Sequence, residues 1–292
     1  MTNTQALVPV QTTPDDDKLI NMWLSLKASE HTRRSYAHVI DSFRAHVNKP
    51  LATVSLADLL EYLGTVTGSD ATKALHTNAL KSLFTYCTEL FPTVFPINYG
   101  KALKAPKQHS KLAQRILSEA DVIRMIDRTE SKRDHAMLRL MYHSGLRVSE
   151  VTALKWEDIR ETGDGAVLDV WGKGERQRFV LISQGMYDEL TSLDGRFLGK
   201  DRYVFQSRKG KGGVFPMDAS QVDRIVLDAA RRAGITGNVS AHWLRHANAS
   251  HALDNGAPIH VVQQSLGHAS LVTTTRYAHV KPGNGSSQYI KI

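Results

Sequence analysis

The chain has 292 residues, 41% hydrophobic and 23% charged, which is ordinary globular usage and excludes a disordered, collagen-like or disulfide-scaffold chain; at one domain per roughly 150 residues, two domains are expected. Lys plus Arg number 37 against 29 Asp plus Glu, a formal charge of +8 with a pI near 9.5, and such an excess favours a polyanionic partner, nucleic acid before membrane. The one cysteine, Cys87, can form neither an internal disulfide nor a thiolate zinc cage, and it fits a reducing cytoplasm.

Residues 1–14 are polar, carry Pro9 and Pro14, and read as a flexible tail. They lack the basic start and apolar run of a secretory signal. No segment approaches ~18 consecutive apolar residues, so no membrane span is expected. Helical patterns follow. Leu19, Ile20, Trp23 and Leu26 form an apolar face over 15–28, and Tyr36, Val39, Ile40, Phe43 and Val47 recur at helical steps over 30–47. Ser55 with Asp58 makes a capping-box start for a helix through Val66. The spacing of Leu80, Leu83, Phe84, Cys87 and Leu90 predicts the longest helix, over 72–91, stopped by Pro92. Residues 15–105 are thus expected to form a helical domain.

No acidic residue lies between Glu89 and Glu119, while Lys101, Lys104, Lys107, Lys111 and Arg115 all do. Residues 106–117 read as a basic interdomain linker, and these five cations as candidate DNA-backbone contacts. A second domain is expected over 118–281. Ser118 caps its first helix, with Asp121 at the third position. Helices are expected over 134–144 and 147–154. The apolar period then changes to two, and strands are expected over 166–171 and 176–182, joined by Gly172-Lys173-Gly174-Glu175. Helices return over 184–193, 218–233, 240–255, 259–266 and 270–280. The tail, 282–292, ends in Tyr289, Ile290 and Ile292. The fold class is mainly α with a small β-hairpin or sheet, a helical domain followed by an α+β domain.

Several motifs are decoys. Gly172-Lys173-Gly174 is not a P-loop, since no Ser or Thr follows the lysine. His242 and His246 share a helix face, but Trp243 stands where a zinc protease needs Glu, so no metal site is expected. There is no Gly-Xaa-Ser-Xaa-Gly elbow.

The chemistry-bearing residues lie elsewhere. Gly145-Leu-Arg147-Val-Ser-Glu150 opens a helix with a cation and an acid that face the same way. His242-Trp-Leu-Arg245 sets a histidine and an arginine one turn apart. Leu266-Gly267-His268 is followed nine residues later by Tyr277, and Lys173 sits in the hairpin turn. Phosphodiester chemistry needs a nucleophile, cations on the non-bridging oxygens and an acid for the leaving alkoxide. Tyrosine supplies the first, two arginine forks the second, and lysine or histidine the proton.

Residues 118–281 resemble the tyrosine recombinases, also called the phage integrase family, and most nearly its short Xer-like members. Residues 15–105 resemble that family's helical core-binding (SAM-like) domain, with Thr32, Tyr36 and Phe43 placed as in its first helices. The resemblance implies that Tyr277 attacks the scissile phosphate to form a 3′-phosphotyrosyl link. Arg147, Arg245 and His268 would bind the phosphate, Lys173 would protonate the 5′ oxygen, and His242 would assist proton transfer as the base. Glu150 would orient Arg147 without reacting. No cofactor or metal is implied. A partner strand would resolve the link through a Holliday junction. It further implies two domains closing on duplex DNA as a clamp and a homotetramer on two duplexes, shared in some cases with a paralogous recombinase. The 282–292 tail would dock in trans, with Tyr289 and Ile290 as its plug, and the protein would be cytoplasmic and nucleoid-associated. No arm-site domain is expected ahead of residue 15, which argues against the larger three-domain phage integrases. Trp243 and Ala247 depart from the family pattern at positions that carry no chemistry.

Taken singly, each residue has a commoner structural role: a helical tyrosine usually packs, and a pair such as Arg147–Glu150 is usually a surface ion pair worth under about 1 kcal/mol. Their joint order and spacing favour the site. The other histidines, His246 among them, read as structural or surface. Two alternatives are a type IB topoisomerase-like DNA relaxer and a catalytically silent DNA-binding regulator of integrase descent.

Overall fold

In the computed structural model the described residues are 15–106, 115–172, 176–193, 199, 201–207, 215–268, 274, 275 and 277. The chain divides into two compact units, 1–109 and 110–292.

The first unit is helical: α1 (Asp16–Ser25), α2 (Glu30–Val47), α3 (Leu56–Thr65) and α4 (Asp70–Leu90). Local chemistry sets the ends. The Asp58 carboxylate accepts from the Ser55 N–H at 2.7 Å while Ser55 Oγ accepts from the Asp58 N–H, closing the expected capping box. Leu19, Trp23, Ile40, Leu80 and Leu83 are fully buried, and Phe43 meets Tyr62 and Phe84 edge-on at 5.2 and 6.3 Å. Burial pushes the Cys87 thiol up to about 12, so it packs as a small hydrophobe.

The second unit opens with α5 (Glu119–Asp127), α6 (Lys132–Ser144) and α7 (Val148–Ala153). A three-stranded antiparallel sheet follows, β1 (Ile159–Thr162), β2 (Gly165–Trp171) and β3 (Gln177–Ser183), in the order β1-β2-β3. Then come α8 (Gln184–Thr191), α9 (Ala219–Arg232), α10 (Ala241–Asp254) and α11 (Ile259–Leu266). Pairing of Ala166 with Ile182 and Leu168 with Val180 turns the apolar parity of both strands onto the helices, where Met137, Leu140, Val226 and Leu244 are fully buried. The opposite face leaves Phe179 and Leu181 exposed.

One strand escaped the sequence pattern. β1, Ile-Arg-Glu-Thr, has no buried residue, so it carries no apolar alternation. It forms because β2 offers it an unpaired edge. Only Thr274, Thr275 and Tyr277 of the helix expected over 270–280 are described, and all three are helical. Lys173 and the 282–292 tail lie outside the described residues.

Candidate active site

The site is built on the C-terminus of α11. A helix end leaves its last carbonyls without intrahelical partners and carries partial negative charge. Here three arginines from three different elements take three consecutive carbonyls. Arg178 Nε of β3 donates to Ser265 O at 2.8 Å, Arg245 Nη2 of α10 to Leu266 O at 2.5 Å, and Arg147 Nη2, at the start of α7, to Gly267 O at 3.2 Å. Gly267 ends α11 in the left-handed region, φ 63°. A Cβ there would stand 3.0 Å from Arg178 Cδ, which accounts for a glycine between Leu266 and His268.

Arg147 and Arg178 share one carboxylate. Glu150 Oε1 accepts from Arg147 Nη1 at 2.8 Å and from Arg178 Nη1 at 2.7 Å. Its Oε2 accepts from Arg178 Nη2 at 2.8 Å and from the Arg147 backbone N–H at 2.7 Å. The same residue therefore caps α7 and locks two forks. Burial pushes its carboxyl up, yet the hydrogen bonds and charges of Arg178 and Arg147 prevail and bring it down to about 2. Arg178 keeps 9% of its side-chain surface and Arg147 keeps 28%, so Arg147 is the more open of the two arginines that share Glu150.

Arg245 is held differently. It is 5% exposed, and its Nη1 donates to Gly145 O at 2.5 Å. Carbonyls, not a carboxylate, fix it, so its charge is not neutralised by a salt bridge among the described residues. Burial and the nearby Arg147 charge lower it to about 10, so it stays cationic at neutral pH. Gly145, which gives that carbonyl, ends α6 at φ 62° against Leu266 and Asn248.

Three histidines and the phenol complete the cluster. Burial and the charge of Arg245 lower His242, with Asp223 opposing. Burial, aided by His242, Arg115 and Arg245, lowers His246 to about 4, and burial with Arg245 and Arg147 lowers His268 to about 4. His246 and His268 are therefore neutral at pH 7. His246 Nδ1 lies 2.7 Å from Tyr277 Oη. The Tyr277 ring stacks on His268 at 6.3 Å with an 8° interplanar angle, and His268 Nδ1 is 2.9 Å from the buried Thr274 Oγ1. His242 sits one turn before His246, its ring 6.2 Å away.

The fold thus gathers Arg147, Glu150, Arg245, His268 and Tyr277 around one helix end, with His242 beside them. Lys173 lies outside the described residues, but Gly172 and Arg176, which flank residues 173–175 in the sequence, line a cleft of about 860 Å³ together with Arg147 and His268. Lys101 and Lys104 are exposed in the first unit and Arg115 in the second, while Lys107 and Lys111 lie outside the described residues. Sequence reading missed Arg178, His246 and Thr274. Arg178 had a signal: it shares strand parity with the buried Val180 and Ile182, and a charge on an inward face needs a partner. Among the described residues, no group of three His, Cys, Asp or Glu is arranged to hold a metal. No helix among them is long and apolar enough to cross a membrane.

The model of the phage integrase family matches residues 111–283. The tyrosine recombinase XerC of Lacticaseibacillus casei (strain BL23) is 31% identical over 227 residues, covering 73% of each chain. XerH site-specific recombinase, solved in a pre-cleavage complex with its difH substrate, superposes with a TM-score of 0.70 at 24% identity, covering 92% of this chain and 82% of that one. A lambda integrase tetramer bound to a Holliday junction gives 0.73 at 18% identity, covering 89% and 75%.

Proposed function

We propose, for a chain that belongs to the phage integrase family and is a site-specific tyrosine recombinase, that Tyr277 is the nucleophile and that Arg147, Arg245 and His268 hold the phosphate it attacks. The observation that supports this most is the convergence at the end of α11. Two guanidinium groups sit on the consecutive carbonyls of Leu266 and Gly267, and the next residue, His268, stacks on the Tyr277 ring.

A phosphodiester entering this site meets cations whose positions are already fixed by carbonyls and by Glu150. Their attraction grows as charge accumulates on the non-bridging oxygens in the transition state, and no reorganisation is needed at that moment. Attack by Tyr277 Oη expels the 5′ oxygen, which takes a proton from Lys173 on the β2–β3 turn. His242 assists proton transfer. The strand stays attached through a 3′-phosphotyrosyl bond of similar energy to the one broken. Attack by the 5′-hydroxyl of a second duplex then gives a Holliday junction. Glu150 does not react; it keeps Arg147 aimed.

Both units bind duplex DNA in this reading, residues 15–105 as the core-binding domain, 118–281 as the catalytic domain and 106–117 as a linker along the backbone. Lys101, Lys104, Lys107, Lys111 and Arg115 neutralise phosphates. The assembly is a homotetramer on two duplexes, or one shared with a paralogous recombinase, and the 282–292 tail docks on a neighbouring protomer. The protein works in the cytoplasm, on the nucleoid.

The test is a nicked suicide duplex built on the sequence that the purified protein protects from nuclease. Wild type accumulates a covalent protein–DNA adduct and yields recombinant joints. Tyr277→Phe binds within severalfold and forms no adduct. An adduct surviving that change removes Tyr277 as the nucleophile, and religated parents without joints favour a topoisomerase-like relaxer.

A further inference from the structure

We infer that His246 is a further catalytic residue: its Nδ1 holds the Tyr277 hydroxyl and takes the phenolic proton as that oxygen attacks phosphorus. This rests on the reading of Tyr277 as the nucleophile. Geometry carries it. The Nδ1–Oη separation of 2.7 Å is a full hydrogen bond, and the two rings lie 5.7 Å apart at 42°. His246 follows Arg245 directly on α10, so the residue that grips the phosphate and the one that touches the phenol are consecutive on one rigid helix. His242 lies a turn earlier, its ring 6.2 Å from that of His246.

The electrostatics suit the role. The groups that face His246 are His242 and Arg245 from its own helix, Arg115 from the start of the unit, and His268 and Tyr277 from beyond α11. The two arginines disfavour an imidazolium there, so the ring is neutral, and with its hydrogen on Nε2 the Nδ1 lone pair accepts the phenolic O–H. When a DNA phosphate docks on Arg147 and Arg245, its negative charge offsets theirs and makes His246 a better base. Proton uptake is therefore coupled to substrate: the phenol is activated only when there is a phosphate to attack.

The proton balance closes. The Oη–H bond of Tyr277 breaks and its proton passes to His246 Nδ1. The Oη–P bond forms, the P–O5′ bond breaks, and the electron pair leaves on O5′, which takes a proton from Lys173. On rejoining, the imidazolium returns the proton to Oη as the phosphotyrosyl bond breaks.

The experiment is single-turnover cleavage of the same nicked duplex between pH 6 and 9 by wild type, His246→Ala, His246→Gln and Tyr277→Phe, with DNA binding measured in parallel. Losing a general base slows cleavage by about 10²-fold or more. His246→Ala is therefore expected to form adduct about a hundredfold more slowly at pH 7 with binding retained, its rate to climb about tenfold per pH unit as hydroxide replaces the base, and added imidazole to restore part of it. His246→Gln keeps an acceptor of similar size, and is expected to stay slow because an amide cannot take a proton. A His246→Ala rate and pH profile matching wild type overturns the inference, as does full activity in His246→Gln. Both results are distinguishable from failure of the nucleophile assignment, which shows only as an adduct in Tyr277→Phe.

Discussion

Arg178 and Glu150 are joined by two parallel hydrogen bonds of 2.7 and 2.8 Å, although one lies on a strand and the other on a short helix 28 residues away. Glu150 also receives two bonds from Arg147. One buried carboxylate therefore ties the sheet, α7 and, through Arg178 Nε and Ser265 O, the end of α11 into a single support for Arg147, the arginine proposed to meet the phosphate.

That carboxylate has a stability signature. Its folded carboxyl is held at about 2, below the ordinary ~4.3 of an unfolded glutamate. The sign follows: the stabilisation is fully present above the unfolded value and is lost as pH falls from there toward 2. The depression corresponds to roughly 3 kcal/mol. Glu150→Gln leaves two guanidinium groups without a counter-charge and is expected to cost about 3–5 kcal/mol at pH 7. Urea denaturation of both proteins at steps from pH 7 to 2.5 checks this. Wild type loses its advantage over the variant between about pH 4.3 and 2. An equal pH response in the two proteins places the titration elsewhere.

Gly267→Ala tests the turn that holds Arg147 and leads into His268. Alanine at φ 63° is strained by about 1–2 kcal/mol, and its Cβ would press on Arg178 Cδ at 3.0 Å. The variant is expected to lower the thermal midpoint and to slow adduct formation more than it weakens DNA binding, because Gly267 O holds Arg147 and His268 follows directly. A thermal midpoint and a cleavage rate equal to wild type would show that the turn relaxes at no cost.

Much of this was legible in the sequence where a signal is local. Two helices, Glu30–Val47 and Ile259–Leu266, fall where the apolar period ends at a break, because the same contacts that bury the stripe define its ends. The helices expected over 134–144 and 259–266 end immediately before Gly145 and Gly267, the left-handed caps of α6 and α11. β1 was not, since its residues are exposed and its partner is what makes it a strand. The triple use of the α11 carbonyls was also hidden. Arg147, Arg178 and Arg245 are far apart in the chain, and nothing in the local pattern of any one shows that all three end on Ser265, Leu266 and Gly267. His246 was set aside for a similar reason: its partner Tyr277 lies 31 residues on, and only the packing of α10 beside that residue brings them together.

Thr274 is expected to set the tautomer of His268. The His268 side chain is neutral at pH 7, and its Nδ1 faces the Thr274 hydroxyl at 2.9 Å. A hydroxyl donating to Nδ1 leaves Nε2 carrying the hydrogen, and that N–H is the group available to a phosphate oxygen. Thr274→Val keeps the volume and removes the bond. A neutral hydrogen bond is worth about 1 kcal/mol, so cleavage is expected to slow by roughly five- to tenfold with DNA binding nearly unchanged. The ¹⁵N shifts of the His268 ring report the tautomer directly. Unchanged shifts in Thr274→Val would remove this residue from the site.

Lys173 is the remaining assignment to test by chemistry. It falls in the sequence between Gly172 and Arg176, both of which line the cleft beside Arg147 and His268. A poor leaving group needs a proton from the enzyme, whereas a thiolate needs little. Lys173→Ala is expected to cut a normal phosphodiester at least about 10²-fold more slowly and to cut a duplex with a 5′-bridging phosphorothiolate at close to the wild-type rate. The comparison separates the acid from the rest of the site, because Arg245→Lys, which exchanges a two-pronged grip on Gly145 O and Leu266 O for a single point charge, is expected to be slow on both substrates. Slow cleavage of both by Lys173→Ala would instead assign the lysine to phosphate binding.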